Sequence, residues 1–272
     1  MTRVGFVGLG NIGKPMALRL AAEESLDLRV HDVVPEPVVE LEAAGARVAS
    51  SVGELAADVD VLCVMVRDDG QVRDVGGQVL ASGGSPVVVV HSTVAPGTPA
   101  ELGERGLVVL DAPVSGGPMG AADGSLAIMV GGDEAAYAVA EPVLARMGSL
   151  VVHAGPLGAG TRMKLARNLI HFVAFTAVTE AQRLAEASGL DLLALGEVVR
   201  HTDRITGGPG AIMHRGTTAV LGPDDFWRGV FDHVRALGEK DLSFAIELAA
   251  TLGVDVPLAT LAREGLGKGL GL

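Results

Sequence analysis

The sequence predicts an N-terminal α/β domain built on a doubly wound, mainly parallel sheet, joined by a long helix to an all-α C-terminal domain. Three observations carry that reading. Short β-branched runs alternate with helical segments from residue 3 to about residue 154. Gly158 to about Ser188 then contains no proline and no strand punctuation. Only helical patterns follow it.

Taken in order, the strand candidates are Arg3 to Val7, Asp27 to Val30, Val61 to Val66, Val87 to Val90 and Leu107 to Leu110. They are largely continuous apolar runs, as strands covered on both faces tend to be. Pro15 to Glu23 and Pro35 to Ala44 read as helices between them, and Val151 to Ala154 closes the alternating half. The expected boundaries are residues 1–157 for the first domain and 158–272 for the second. The helix from Gly158 to Ser188 is too long and too apolar for a surface element, so it is expected to be largely buried, in a bundle or against a partner chain. Leu190 to His201 and Val234 to Leu252 continue as helices around the loop Gly207 to Gly210. The glycine-rich Gly265 to Leu272 is expected to fray unless it docks.

Composition excludes several classes. With 272 residues, of which 49% are hydrophobic, the chain can bury a sizeable core, yet polar residues interrupt every apolar run before membrane-spanning length. The opening Met1 to Gly5 runs directly into a strand, and the expected location is the cytoplasm. A net charge of −12 opposes nucleic-acid backbones and anionic membranes, so a small anionic substrate needs a local positive pocket. Cys63 is the sole cysteine and reads as a buried structural thiol. His91, His153, His201, His214 and His233 lack metal-ligand spacing, so no metal is expected.

The first chemical signal is Gly8-Leu9-Gly10-Asn11-Ile12-Gly13, between the first strand and the first helix. In a dinucleotide-binding turn the first glycine makes the bend, the second admits the pyrophosphate, and the third lets helix pack on strand. Asp32, ending the second strand, supplies a carboxylate for the adenosine ribose hydroxyls and repels a 2′-phosphate, which favours NAD over NADP. The expected N-terminal domain is therefore of the Rossmann type.

Hydride transfer from an alcohol also needs a proton acceptor. Gly155 to Gly160 leads into Lys164, with Asn168 one helical turn later on the same face. Such a pair can hold one hydroxyl from two sides, and burial beside Met163 and Leu165 would lower the lysine pKa. With Asp111-Ala112-Pro113-Val114-Ser115-Gly116-Gly117 and Lys240-Asp241-Leu242, these segments make the chain resemble the β-hydroxyacid dehydrogenase family, which includes 3-hydroxyisobutyrate dehydrogenases and semialdehyde reductases. The order of the segments spans nearly the whole chain.

That resemblance implies roles residue by residue. Lys164 matches the family's catalytic acid/base and Asn168 its substrate-holding amide. Ser115, Gly116 and Gly117 match the carboxylate-binding motif, whose hydroxyl and backbone N–H groups form an anion nest. Thr93 and Lys240 match cofactor contacts near the nicotinamide, and Met65 and Val66 a contact on the adenosine side. The implied activity is hydride transfer between NAD(H), or NADP(H), and a small β-hydroxy acid or its semialdehyde, in a homodimer or homotetramer, with the site in the cleft between the domains.

The chain also departs from the pattern. Val66-Arg67 stands where members often have Leu-Pro, placing an arginine near the cofactor edge. His233, with Phe231 nearby, replaces an aromatic before Lys240, and the chain is expected to stop without the family's usual final helix. His171 reads as a satisfied core histidine and Trp227 as a packing anchor. Rival readings are an imine reductase of the same superfamily, against which Lys164 argues, and a non-catalytic nucleotide-binding relative. A hydrolase reading of Ser115 fails for want of a nucleophile elbow.

Overall fold

The computed structural model, which describes residues 1–272, threads Thr2 to Gly155 through a nine-stranded sheet. β1 (Thr2–Val7) leads into α1 (Gly13–Ala21), β2 (Leu26–His31) into α2 (Pro35–Ala43), and β3 (Arg47–Val48) into α3 (Val52–Ala56). β4 (Val61–Val64), α4 (Asp69–Ser82), β5 (Val87–Val90), α5 (Thr98–Glu104) and β6 (Val108–Asp111) continue the alternation. β7 (Val114–Ser115), α6 (Gly117–Asp123), β8 (Ala127–Gly131), α7 (Glu134–Leu144) and β9 (Leu150–Gly155) complete it.

The spatial order is β3-β2-β1-β4-β5-β6-β8-β7, with β9 also paired to β8. Strands β3 through β6 are parallel, whereas β8 runs antiparallel to β6 and β7. β1 lies between β2 and β4, so the winding reverses there. Ligands of such sheets bind beyond the carboxyl ends of the strands at that reversal. The continuous apolar runs have a direct cause. Phe6, Val61, Cys63 and Val89 face one core, and Val7, Leu62, Val64 and Val88 face another, so side chains with a period of two fill both faces. Burial also pushes the Cys63 thiol up to about 12, leaving it inert.

The helices that follow are α8 (Ala159–Ala187), α9 (Leu192–Thr206), α10 (Phe226–Leu252) and α11 (Pro257–Leu270), with a 3-10 turn at Gly208–Ile212. The chain divides into two compact units, Met1–Arg167 and Asn168–Leu272, so α8 belongs to both. In the second unit Leu221, Phe231 and Leu270 form a small core to which Trp227 adds its ring. Asp191 caps α9 by accepting from Leu193 N, and Asp225 caps α10 by accepting from Trp227 N. No helix is long and apolar enough to cross a membrane.

One expectation needs correction, and two open ones resolve. The tail docks rather than frays, inside a helix, α11, that the sequence reading did not include. Pro257 starts α11 with its fixed φ, Glu180 accepts from Leu258 N and Ala259 N at its start, and Leu221 N donates to Gly271 O at its end. Of the two expected covers for the long helix, a bundle or a partner chain, its own chain does not supply one along its whole length, since Leu169, Phe172 and Phe175 stand exposed. His171 is half-buried against the Phe175 ring, at a centroid distance of 4.2 Å, rather than in a core.

Helix α8 begins where backbone meets backbone. A Cβ on Gly160 would stand 2.2 Å from the Met129 carbonyl oxygen and 2.5 Å from that of Asp111. Neither neighbour is a flexible side-chain end. Gly160→Ala is therefore expected to destabilise the fold by on the order of 2–4 kcal/mol. An unchanged midpoint of urea unfolding would contradict this close approach.

Candidate active site

Two groups of residues sit at the carboxyl ends of the parallel strands. The first surrounds a cavity of 840 Å³ lined by the Gly8–Gly13 turn, Asp32, Met65, Val66 and Arg67. Each glycine of the turn has its own geometric reason. Gly8 has φ +93° and a Cβ there would lie 2.2 Å from Met65 O, while a Cβ on Gly13 would lie 1.9 Å from Gly8 O. A Cβ on Gly10 would meet nothing within 4 Å. Gly8 and Gly13 thus serve the fold, and Gly10 leaves an open backbone surface of the kind a pyrophosphate needs.

Asp32 is tied into this turn. Leu9 N donates to its Oδ2 at 2.5 Å and Val34 N donates to its Oδ1 at 2.8 Å. A carboxylate has about four acceptor positions, so Asp32 retains capacity for sugar hydroxyls. On the β4 side, Ser92 bridges two strand ends: Val66 N donates to Ser92 Oγ at 2.9 Å, and the hydroxyl donates to Val66 O at 2.7 Å. Thr93 follows in an exposed position. The residues present fit a dinucleotide: an open turn at a helix start, a fixed carboxylate beyond β2, and strand ends arranged in the order β2, β1, β4, β5.

The second group centres on Lys164, which is 8% exposed although α8 presents Met163 and Leu165 to solvent. Its burial comes from the sheet edge rather than from those expected neighbours. Lys164 Nζ donates to Val114 O at 2.6 Å and to Ser115 Oγ at 2.9 Å. An ammonium has three donors, so one remains for a third partner. Burial, followed by the charge of Arg167 on the same helix, pulls the Lys164 pKa below the ordinary lysine value. Ser115 is followed by Gly116 and Gly117, with φ of +133° and +64°, at the start of α6. Asn168 lies four residues beyond Lys164 on α8 and opens the second unit. Lys240 lies on α10 in that unit, exposed and 3.2 Å from Asp241. Phe231 belongs to the core of the second unit and His233 is exposed.

Sequence reasoning passed over two residues here. Ser92 carried a signal as the first polar side chain after Val87–Val90. Asp111, fully buried at the end of β6, accepts from Gly158 N at 2.6 Å and Thr161 N at 2.5 Å. His91, beside Ser92, is also fully buried: its Nδ1–H donates to Ala112 O, and burial pushes its pKa down to about 4, so the ring is neutral.

Comparison with known proteins gives matching family models over most of the chain. Residues 3–155 match the NAD-binding domain of 6-phosphogluconate dehydrogenase, and residues 158–269 match the NAD-binding domain of NADP-dependent 3-hydroxyisobutyrate dehydrogenase. An oxidoreductase structure from Mycobacterium avium 104 is 48% identical, with a TM-score of 0.95 over 100% of this chain and 99% of that one. The NAD-dependent L-serine dehydrogenase of Pseudomonas aeruginosa is 36% identical, covering 96% of this chain and 90% of the relative. A Mycobacterium tuberculosis 3-hydroxyisobutyrate dehydrogenase structure with L-serine is 33% identical, with a TM-score of 0.69 over 100% and 96% of the two chains.

The unequal glycines give a test. Gly10→Ala is expected to keep the melting temperature and weaken NADH binding, measured by fluorescence titration, on the order of tenfold or more. Gly13→Ala is expected to lower the melting temperature as well. Equal effects of the two substitutions on stability would contradict the division of labour.

Proposed function

The chain belongs to the β-hydroxyacid dehydrogenase family as an NAD(P)-dependent oxidoreductase, and we propose that it moves a hydride between NAD(H) and a small β-hydroxy acid or its semialdehyde, with Lys164 as general acid/base. The observation that supports this most is the buried Lys164 amine, hydrogen-bonded to Val114 O and Ser115 Oγ with a donor to spare. A lysine seldom stays buried without a charge partner unless its neutral form has a use.

The hydride acceptor or donor is supplied by NAD(H). In the oxidative direction the neutral Lys164 amine takes the substrate hydroxyl proton at Nζ, and in reduction its ammonium returns a proton to the forming alkoxide. Asn168 holds the same hydroxyl from a second side. Ser115, Gly116 and Gly117 receive the substrate carboxylate, where a hydroxyl and backbone N–H groups balance its charge without adding a cation. Gly8 to Gly13 hold the pyrophosphate, Asp32 the adenosine ribose, Met65 and Val66 the adenosine side, and Thr93 and Lys240 the nicotinamide side. Asp32 favours NAD over NADP. The Rossmann domain is 1–157, and 158–272 is the substrate and dimerisation domain. L-serine and 3-hydroxyisobutyrate, taken from the names of the relatives, are the first substrates to offer.

The second domain suggests a homo-oligomer. Leu169, Phe172, Val173 and Phe175 on α8 and Phe244 on α10 are exposed apolar side chains, more than a monomer commonly leaves to water. A dimer or tetramer that covers α8 would bury them.

Lys164→Ala is expected to lower kcat/KM by about a thousandfold on the best substrate; normal turnover would contradict the assignment. Oxidation uses the neutral amine, so its rate should rise with pH and level off below 10.5, the ordinary lysine value. In sedimentation velocity the wild type is expected as a dimer or tetramer, and Phe172→Asp with Phe175→Asp as a smaller species. A monomeric wild type would remove the oligomer from the account.

A further inference from the structure

The first turn of α8 lacks a cap of its own. Gly155-Pro156-Leu157-Gly158-Ala159-Gly160 offers no serine, threonine, aspartate or asparagine where a helix start normally takes one. The free N–H groups of that turn nevertheless need acceptors. Asp111 supplies them from 47 and 50 positions earlier in the chain: Gly158 N donates to Oδ1 at 2.6 Å and Thr161 N to Oδ2 at 2.5 Å. The carboxylate is fully buried and forms no ion pair. Its burial is sustained by those two bonds and by the positive end of a 29-residue helix.

The same short segment holds the amine. Asp111 ends β6, and three and four residues later Val114 and Ser115 provide both acceptors of Lys164 Nζ. Lys164 lies three residues beyond Thr161, a rise of about 4.5 Å along the axis. One pentapeptide, Asp111 to Ser115, therefore grips the backbone of α8 at its start and the side chain of Lys164 a turn later. Glycines at 131 and 160 allow no slack: a Cβ on Gly131 would stand 2.4 Å from Asp111 Oδ1 and 2.7 Å from Gly160 N.

We propose that Asp111 is a positioning residue, whose carboxylate fixes the start of α8 so that the Lys164 amine stays registered against Ser115. The inference rests on the Lys164 reading above. It explains why a carboxylate without an ion-pair partner is kept in the core at a point where a neutral cap within the helix would satisfy the backbone.

The test uses Asp111→Asn and Asp111→Ser, each in the full chain. Asparagine presents an N–H to a backbone N–H in place of one acceptor, and serine keeps a single short acceptor. Without NAD, the rate at which trinitrobenzenesulfonate labels Lys164, followed by peptide mass spectrometry, should rise on the order of tenfold as the amine loosens, with Lys14 and Lys240 labelled as in the wild type. On the best hydroxy acid, kcat should fall on the order of a hundredfold, the cost of a small misplacement, while KM and NADH affinity hold. Unchanged Lys164 labelling and kcat with only a lower melting temperature would overturn the proposal. Failure of both variants to fold would overturn it too, by assigning the carboxylate to folding alone. If Lys164→Ala is inactive while Asp111→Asn behaves as wild type, the positioning role fails and the chemical reading stands. If Lys164→Ala is active, the chemical reading fails first.

Discussion

The docking of one helix start onto one sheet edge governs the rest of this structure. An amine can work as a base near neutral pH only if it is taken out of water, and it stays out of water only if something rigid holds it there. Here the rigid element is a sheet whose strands are buried on both faces. Glycine at 160 lets α8 approach the carbonyls of Met129 and Asp111, and the Asp111 carboxylate receives the N–H groups of the helix start. Lys164 then meets Val114 and Ser115 instead of solvent. Each link is local, yet the partners are distant in sequence.

The electrostatic pattern follows from that placement. The chain carries a net charge of −12, which would repel a small acid, but Lys164 finds no carboxylate among its acceptors. A carbonyl and a hydroxyl hold the amine without neutralising it. Its pKa is lowered, first by burial and then by Arg167, which favours the neutral amine that a base needs. At the other end, Asp32 is an acid among backbone donors, suited to neutral hydroxyls and hostile to an added phosphate.

Much of the fold was legible because its strands are unbroken apolar runs and its long helix has no punctuation. Val87 to Val90 came out to the residue. β3, β7 and β8 were missed: Arg47–Val48 and Val114–Ser115 are too short for any pattern, and Ala127–Gly131, antiparallel to β6 and β7 but parallel to β9, lies between glycines at 124 and 132. α11 was misjudged because four glycines near the end argue against a helix on propensity, whereas contacts from Glu180 and Leu221 secure it. At the site, the Gly8 to Gly13 turn announced its geometry by spacing. The burial of Lys164 was attributed to Met163 and Leu165, which are exposed; its true cover lies about fifty residues away, where periodicity gives no clue. Asp111 was quoted within a motif without a role for the same reason.

The central claim is that the Lys164 amine is held, partly desolvated, against Ser115 before any ligand arrives. The most direct measurement is an NMR titration of the Lys164 side chain in the ligand-free protein, assigned with Lys164→Arg. A midpoint clearly below 10.5 is the predicted result. A midpoint at or above 10.5, with rapid solvent exchange of the amine protons, would contradict the account.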